Sequence, residues 1–294
     1  TGADAEPATL ASLQELGYAN PSQTIETLRA WQSGRYAATK SERARERLTE
    51  FLPHLLDAFG RTADPDAALA SFDRVIASMP AGVQLFSLLA ANPSLTRLIA
   101  DIMGTAPRLA QTIGRQSGLL DVVLDPGFFE AVPAPAKVKA LIENSLGQGH
   151  DYSEALDRAR IVGREQAFLI GVRVLSGTIT AEQAGSAYAN LASALVEALL
   201  PRVEAELVRQ HGRIQGGRAA VLAMGKLGGH EMTASSDLDL ILIYDFKDGA
   251  PSDGARSLPA TQYFARLTQR LIAALSAPTA EGSLYQVDMR LRPS

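Results

Sequence analysis

Two carboxylates two residues apart, Asp237 and Asp239, open an aliphatic run in the stretch VLAMGKLGGHEMTASSDLDLILIYD, residues 221–245. Charged groups are costly to bury and repel one another at close range. Such a pair needs neutralisation, and divalent cations supply it. On a strand, residues i and i+2 point to the same side, so both carboxylates share a face. Asp288 lies in a second candidate strand, SLYQVDMRLR, and three carboxylates converge if the two strands are neighbours. A cluster of that kind suits hard cations, and Mg²⁺ is usually held by a few carboxylates plus substrate phosphates. Two such ions roughly 3.5–4 Å apart clamp the attacking and leaving oxygens of an in-line displacement at phosphorus. Upstream, Gly225, Gly228 and Gly229 free the backbone to approach a ligand, and exposed amides there suit phosphate oxygens. Lys226, Arg290 and Arg292 supply positive charge near the same mouth.

Each feature alone has a plainer reading. Gly228-Gly229 suits a simple turn. Asp237 suits a turn or helix cap, and Asp-x-Asp is common on surfaces. Arg290 and Arg292 fit a solvated strand face. The conjunction carries the weight: glycine turn, short gap, Asp-x-Asp leading an aliphatic strand, then a carboxylate on the polar face of a later strand. Rival motifs fail. A P-loop needs Gly at the position of Ala220 and Ser or Thr at Leu227. The dinucleotide fingerprint needs another glycine spacing. An EF-hand loop needs Asp or Asn where Ile241 stands. His54, His150, His211 and His230 show no zinc spacing, and His230 reads as a solvated surface residue.

The elements that must position these groups come late in the chain. RAAVLAM, 218–224, fits a short strand, and DLDLILIYD, 237–245, a second. PATQYFARLTQRLIAALS, 259–276, reads as an amphipathic helix. Ser283 to Arg292 alternates as a half-buried strand: Tyr285, Val287, Met289 and Leu291 take one face, Asp288 and both arginines the other. Before them come two long helices, one from about Ser153 to Leu175. The other is opened by the capping box of Thr180 and Gln183 and runs towards His211, with a kink or break expected at Pro201. From Ala8 to about Leu124 short helices alternate with Pro- and Gly-marked breaks. Within this stretch, residues 40–52 interleave arginine and glutamate and read as a solvated helix face. The Pro/Ala-rich stretch AVPAPAKVK, 131–139, is the expected boundary.

The chain has 294 residues, 46% hydrophobic and 20% charged. That is the range of a soluble globular protein of about two domains. Its net charge of -4 argues against a polynucleotide partner, which would call for a basic surface. Without cysteine, disulfides and thiolate metal sites are excluded. The N-terminus lacks a signal-peptide pattern, and the apolar runs fall far short of a membrane span. A cytoplasmic protein is expected. The start without Met and the stop after RLRPS suggest a piece of a longer chain.

The order Gly-Gly, short gap, Asp-x-Asp, later Asp resembles the nucleotidyltransferase superfamily typified by the DNA polymerase β palm. GKLGGHE…SSDLDLI followed by YQVDMRLRPS resembles the bacterial glutamine synthetase adenylyltransferase/adenylyl-removing enzyme family more specifically. The stretch FDRVIASMPAGVQLFSLLAANPSLTRLIADIMGTAPRLA, residues 72–110, resembles the helical region between that family's two catalytic halves. The resemblance implies an α+β chain: a helical inter-domain region over 1–135, then a polymerase-β-like nucleotidyltransferase domain over 136–294. That domain would have a helical lead over 136–214 and a small mixed sheet with flanking helices over 215–294. It implies adenylyl transfer from ATP to a tyrosine of glutamine synthetase, in nitrogen assimilation, with a PII-type signal protein as a further partner. Asp237, Asp239 and Asp288 would bind Mg²⁺, and Asp288 would also help orient or deprotonate the tyrosine. Gly228 and Gly229 would contact the triphosphate, with Lys226, Ser236, Arg290 and Arg292 completing the nucleotide contacts. Two alternatives stay open: the phosphorolytic, adenylyl-removing half of the same family, and a non-catalytic partner-binding module. The family continues past RLRPS with more helices, so the palm is expected to be incomplete here.

Overall fold

The computed structural model describes residues 7–116, 119–129, 132–247 and 251–289. The chain is α+β and forms two compact units, one of residues 1–130 with 175–178, the other of residues 131–174 with 179–294.

The first unit is helical. Its helices are α1 (Pro7–Glu15), α2 (Pro21–Gln32), α3 (Glu42–Gly60), α4 (Pro65–Ser78), α5 (Val83–Ala91), α6 (Pro93–Thr105), α7 (Pro107–Arg115) and α8 (Leu119–Leu124). Prolines open α2, α4, α6 and α7. There a missing N–H costs nothing and φ is already helical. Ser41 and Asp64 cap α3 and α4 by accepting from Ala44 N and Ala67 N. Trp31, Phe51, Phe59, Phe72 and Phe86 fill the core. Asp73 satisfies the one polar atom of the buried indole, accepting from Trp31 Nε1 at 2.7 Å. The mixed-charge start of α3 is solvated: Arg43, Glu46 and Glu50 are exposed, and Arg47 pairs with Glu50 at 2.7 Å.

The second unit builds a sheet against helices. Its elements are α9 (Pro135–Gly147), α10 (Tyr152–Leu175), α11 (Ala181–His211), β1 (Arg218–Ala223), α12 (Gly225–Gly228), β2 (Leu238–Asp245), α13 (Ala260–Ser276) and β3 (Val287–Asp288). Both bonds of the Thr180–Gln183 capping box form, at 3.2 and 2.9 Å. At Pro201 the helix does not break. α11 continues to His211 because Val203 and Leu207 beyond the proline are fully buried, and that burial outweighs one lost backbone bond. The strand order is β1-β2-β3, with β1 antiparallel and β3 parallel to β2. Leu238 and Leu240 of β2 are buried in the core, with Tyr285, Val287 and Met289 packed against it. The alternating residues of β2, Asp239, Ile241 and Ile243, therefore take the opposite face. Within the described residues, paired strand covers only Val287–Asp288 of the alternating stretch expected over 283–292. Among the described residues no helix is long and apolar enough to cross a membrane.

Candidate active site

Burial of Leu238 sets the site. With that side chain committed to the core, its strand neighbour Asp239 must turn to the other side, and Asp237 immediately precedes the strand. Across the sheet, Leu238 pairs with Val287 and Asp239 with Asp288. Residues paired in register share a face, so Asp239 and Asp288 lie on the same face of adjacent strands. The backbone fixes both flanks. Leu238 N donates to Gln286 O at 2.9 Å, and Met224 N donates to Asp239 O at 2.9 Å. Asp237 is exposed at the mouth, while Asp239 and Asp288 are half-buried. The side chains of Asp237 and Asp239 make no hydrogen bond or ion pair among the described residues.

The glycine stretch forms a single helical turn, α12, at the end of β1. Gly225 has φ +51°, a left-handed conformation that disfavours any side chain. A Cβ there would also run into the Asp239 carboxylate, with Asp239 Cγ only 3.1 Å away. Gly228 is needed for packing, since a Cβ would meet Ala223 O at 2.6 Å. The amides of Gly228 and Gly229 are already spent on Met224 O and Gly225 O, each at 2.9 Å. The amides without a helical carbonyl partner are therefore those of Gly225, Lys226 and Leu227. The uncommitted donors of the turn therefore lie upstream of Gly228-Gly229. Spacing shows a glycine turn but not which of its amides face inward.

The remaining expected residues divide. Lys226 is exposed on α12. Ser236 Oγ accepts from Thr233 N at 2.9 Å, closing the turn that delivers Asp237. Arg290 and Arg292 lie outside the described residues. His230 is exposed, as expected of a surface residue, with φ 57°. No group of three or more His, Cys, Asp or Glu side chains forms a ready-made cation shell among the described residues. What the face does offer is oxygen donors from adjacent carboxylates beside a turn with free amides. That combination suits a hard cation completed by phosphate oxygens and water.

Sequence comparison supplies the family. Residues 96–294 match the family described as glutamate-ammonia ligase adenylyltransferase. Three similar relatives are each named a bifunctional glutamine synthetase adenylyltransferase/adenylyl-removing enzyme. The Brucella suis biovar 1 protein is 52% identical over 295 residues, covering 100% of this chain and 30% of its own. The Rhizobium meliloti protein is 51% identical with the same coverage. The Xanthobacter autotrophicus protein is 50% identical over 288 residues, 97% of this chain and 29% of its own. The chain thus spans about 30% of the length of the curated relatives it matches. With the glycine turn and all three carboxylates inside the matched span, the chain belongs to the glutamate-ammonia ligase adenylyltransferase family.

Proposed function

We propose that this chain carries a site that transfers AMP from ATP to a tyrosine hydroxyl of glutamine synthetase, releasing pyrophosphate. The observation that carries the reading is the register pair Asp239–Asp288, with Asp237 just ahead of β2 and the α12 turn against Asp239. On this reading residues 136–294 form the nucleotidyltransferase domain and 1–135 the helical inter-domain region. The helices of the first unit support the adenylylating half over the removing half, because the resemblance places such helices before it.

Asp237, Asp239 and Asp288 would hold Mg²⁺, which when bound neutralises charge at the α-phosphate and on the departing pyrophosphate. The chain's own groups do the rest. The amides of Gly225 to Leu227 and the Lys226 ammonium hold the triphosphate. Gly228 and Gly229 keep the turn close to the strand, and Ser236 fixes the turn that presents Asp237. Asp288 orients the tyrosine and takes its proton as the oxygen attacks the α-phosphorus. The bond from that phosphorus to the bridging oxygen breaks, and pyrophosphate carries the electron pair away. No covalent enzyme intermediate is needed, so catalysis is alignment and charge stabilisation. Arg290 and Arg292, outside the described residues, would by the resemblance complete the nucleotide contacts. The whole protein would act in the cytoplasm and answer to a PII-type signal protein.

The test is transfer of label from α-labelled ATP to unmodified glutamine synthetase with Mg²⁺, against the Asp237→Asn, Asp239→Asn double variant. Label that vanishes in the variant supports transfer and the carboxylate role together. ADP released from adenylylated glutamine synthetase and phosphate, with no forward transfer, would replace this reading with the adenylyl-removing one.

A further inference from the structure

Helix α10 carries a strip at one-turn spacing, Arg160, Gly163 and Arg164, that meets the segment leading from α13 to β3. Arg160 is 1% exposed, yet its guanidinium spends its donors on backbone carbonyls. Nε donates to Gly282 O at 2.7 Å, and Nη2 to Ala277 O at 2.7 Å and Ala274 O at 3.1 Å. Nη1 donates to Leu156 O on its own helix at 2.8 Å. One turn on, Arg164 donates to Glu281 O at 2.9 Å and pairs with the Glu281 carboxylate at 3.0 Å. Between them Gly163 leaves room for Leu284, whose Cδ1 would stand 2.8 Å from a Cβ there.

What this clamp holds is the approach to Asp288. Beyond Gly282 the chain is pinned again, Leu284 N and Tyr285 N both donating to Leu275 O at 3.2 and 2.9 Å. Gln286 O then accepts from Leu238 N, and Asp288 comes into register with Asp239. Burying a guanidinium is costly, and an apolar side chain of similar volume fills space as well or better. An apolar residue cannot bind the carbonyls of Ala274, Ala277 and Gly282 at once, whereas the rigid planar fork of arginine can. Within the described residues β3 pairs only through Val287 and Asp288, so the ties on the segment before it help to set its height in the sheet.

We propose that Arg160 and Arg164 are positioning residues that set Asp288 beside Asp239 through the segment 277–286, touching no substrate. The proposal rests on the reading of Asp288 as a carboxylate of the transfer site. Its test compares this chain with Arg160→Lys, Arg164→Lys and Glu281→Gln. Lysine keeps the charge and loses the fork. Glu281→Gln removes only the ion pair and is expected to have the smallest effect. Amide exchange over 283–289 is expected to rise about tenfold in both lysine variants while 218–245 changes little, a local loosening below global unfolding. AMP transfer is expected to fall by about 100-fold in kcat with little change in KM for ATP, as for a misplaced group. Should Arg160→Lys fail to fold, the more exposed Arg164→Lys decides. Unchanged exchange over 283–289, or an equal rise throughout the second unit, overturns the proposal. If neither this chain nor a version extended beyond Ser294 transfers AMP, the transfer reading fails while the exchange data still decide the tie.

Discussion

The Asp239 carboxylate occupies the space that a Cβ on Gly225 would need. The two residues are joined through their neighbour as well, since Met224 N binds Asp239 O. Gly225→Ala therefore adds two penalties: a left-handed φ that costs roughly 1–2 kcal/mol for a residue with a Cβ, and displacement of the carboxylate. The expected outcome is a modest fall in thermal stability with a loss of AMP transfer of about 100-fold, the scale of a roughly 1 Å misplacement. Gly216, also at positive φ but with no atom near its Cβ, is the control. Gly216→Ala should lower stability on the same scale and leave transfer intact. Equal loss of transfer in both variants would remove the special role of the Gly225–Asp239 contact.

Asp237 and Asp239 carry like charges two residues apart with no partner among the described residues. Asp239→Asn should leave the fold intact or make it slightly more stable without cation, because it relieves repulsion. With Mg²⁺ and ATP the parent chain should melt higher, since a ligand bound only by the folded state stabilises it. The variant should lose that rise, and transfer should fall by about 10²–10³-fold or more, the scale of losing one preorganised electrostatic contact. Thermal melts with and without Mg²⁺-ATP check this without depending on turnover. An undiminished rise in Asp239→Asn would take Asp239 out of the cation site.

Much of this was legible in the sequence because the informative patterns are local. The alternation around Leu238 dictates which way Asp239 faces, and the Thr180–Gln183 spacing announces the start of α11. What escaped is long-range or conformational. Nothing local marks Arg160 as the residue that reaches carbonyls 114 to 122 positions away. Its only local signal is the four-residue spacing to Arg164 across the apolar Ile161 and Val162, in a stretch that also carries Asp157, Arg158 and Glu165. Among three nearby glycines, the one with positive φ is fixed by how β1 ends, not by composition. At Pro201 the local helix-breaking preference lost to the buried residues that follow it.

Thr180 closes a capping box at the start of α11, a 31-residue helix of the second unit. Thr180→Ala frees the Gln183 amide and should cost about 1 kcal/mol. Thr180→Ser, which keeps the acceptor, should cost less. Neither should change AMP transfer at temperatures where the chain is folded. Denaturant unfolding followed by helix signal checks the size of the effect. A loss of transfer in Thr180→Ala below its unfolding transition would mean that the end of α11 communicates with the site.

Alkaline pH gives a separate handle on the second unit. Burial pushes the Tyr188 phenol up from its ordinary value of 10.0 to about 12. Burial likewise raises Tyr152, Tyr263 and Tyr285. The charged form of each is the deprotonated one, and the folded pKa lies above the unfolded value. The stability tied to the neutral phenol is therefore complete below pH 10 and is lost as pH rises through the folded value near 12. The melting temperature should hold from neutrality to about pH 10 and then fall steeply. Tyr188→Phe cannot ionise, and near neutrality it gives up only a long bond to Ala167 O at 3.4 Å. It should melt close to the parent at neutral pH and fall less steeply above pH 10, with Tyr285 and the other buried phenols carrying the remaining slope. An equally steep alkaline fall in the variant would show that Tyr188 does not contribute to that loss.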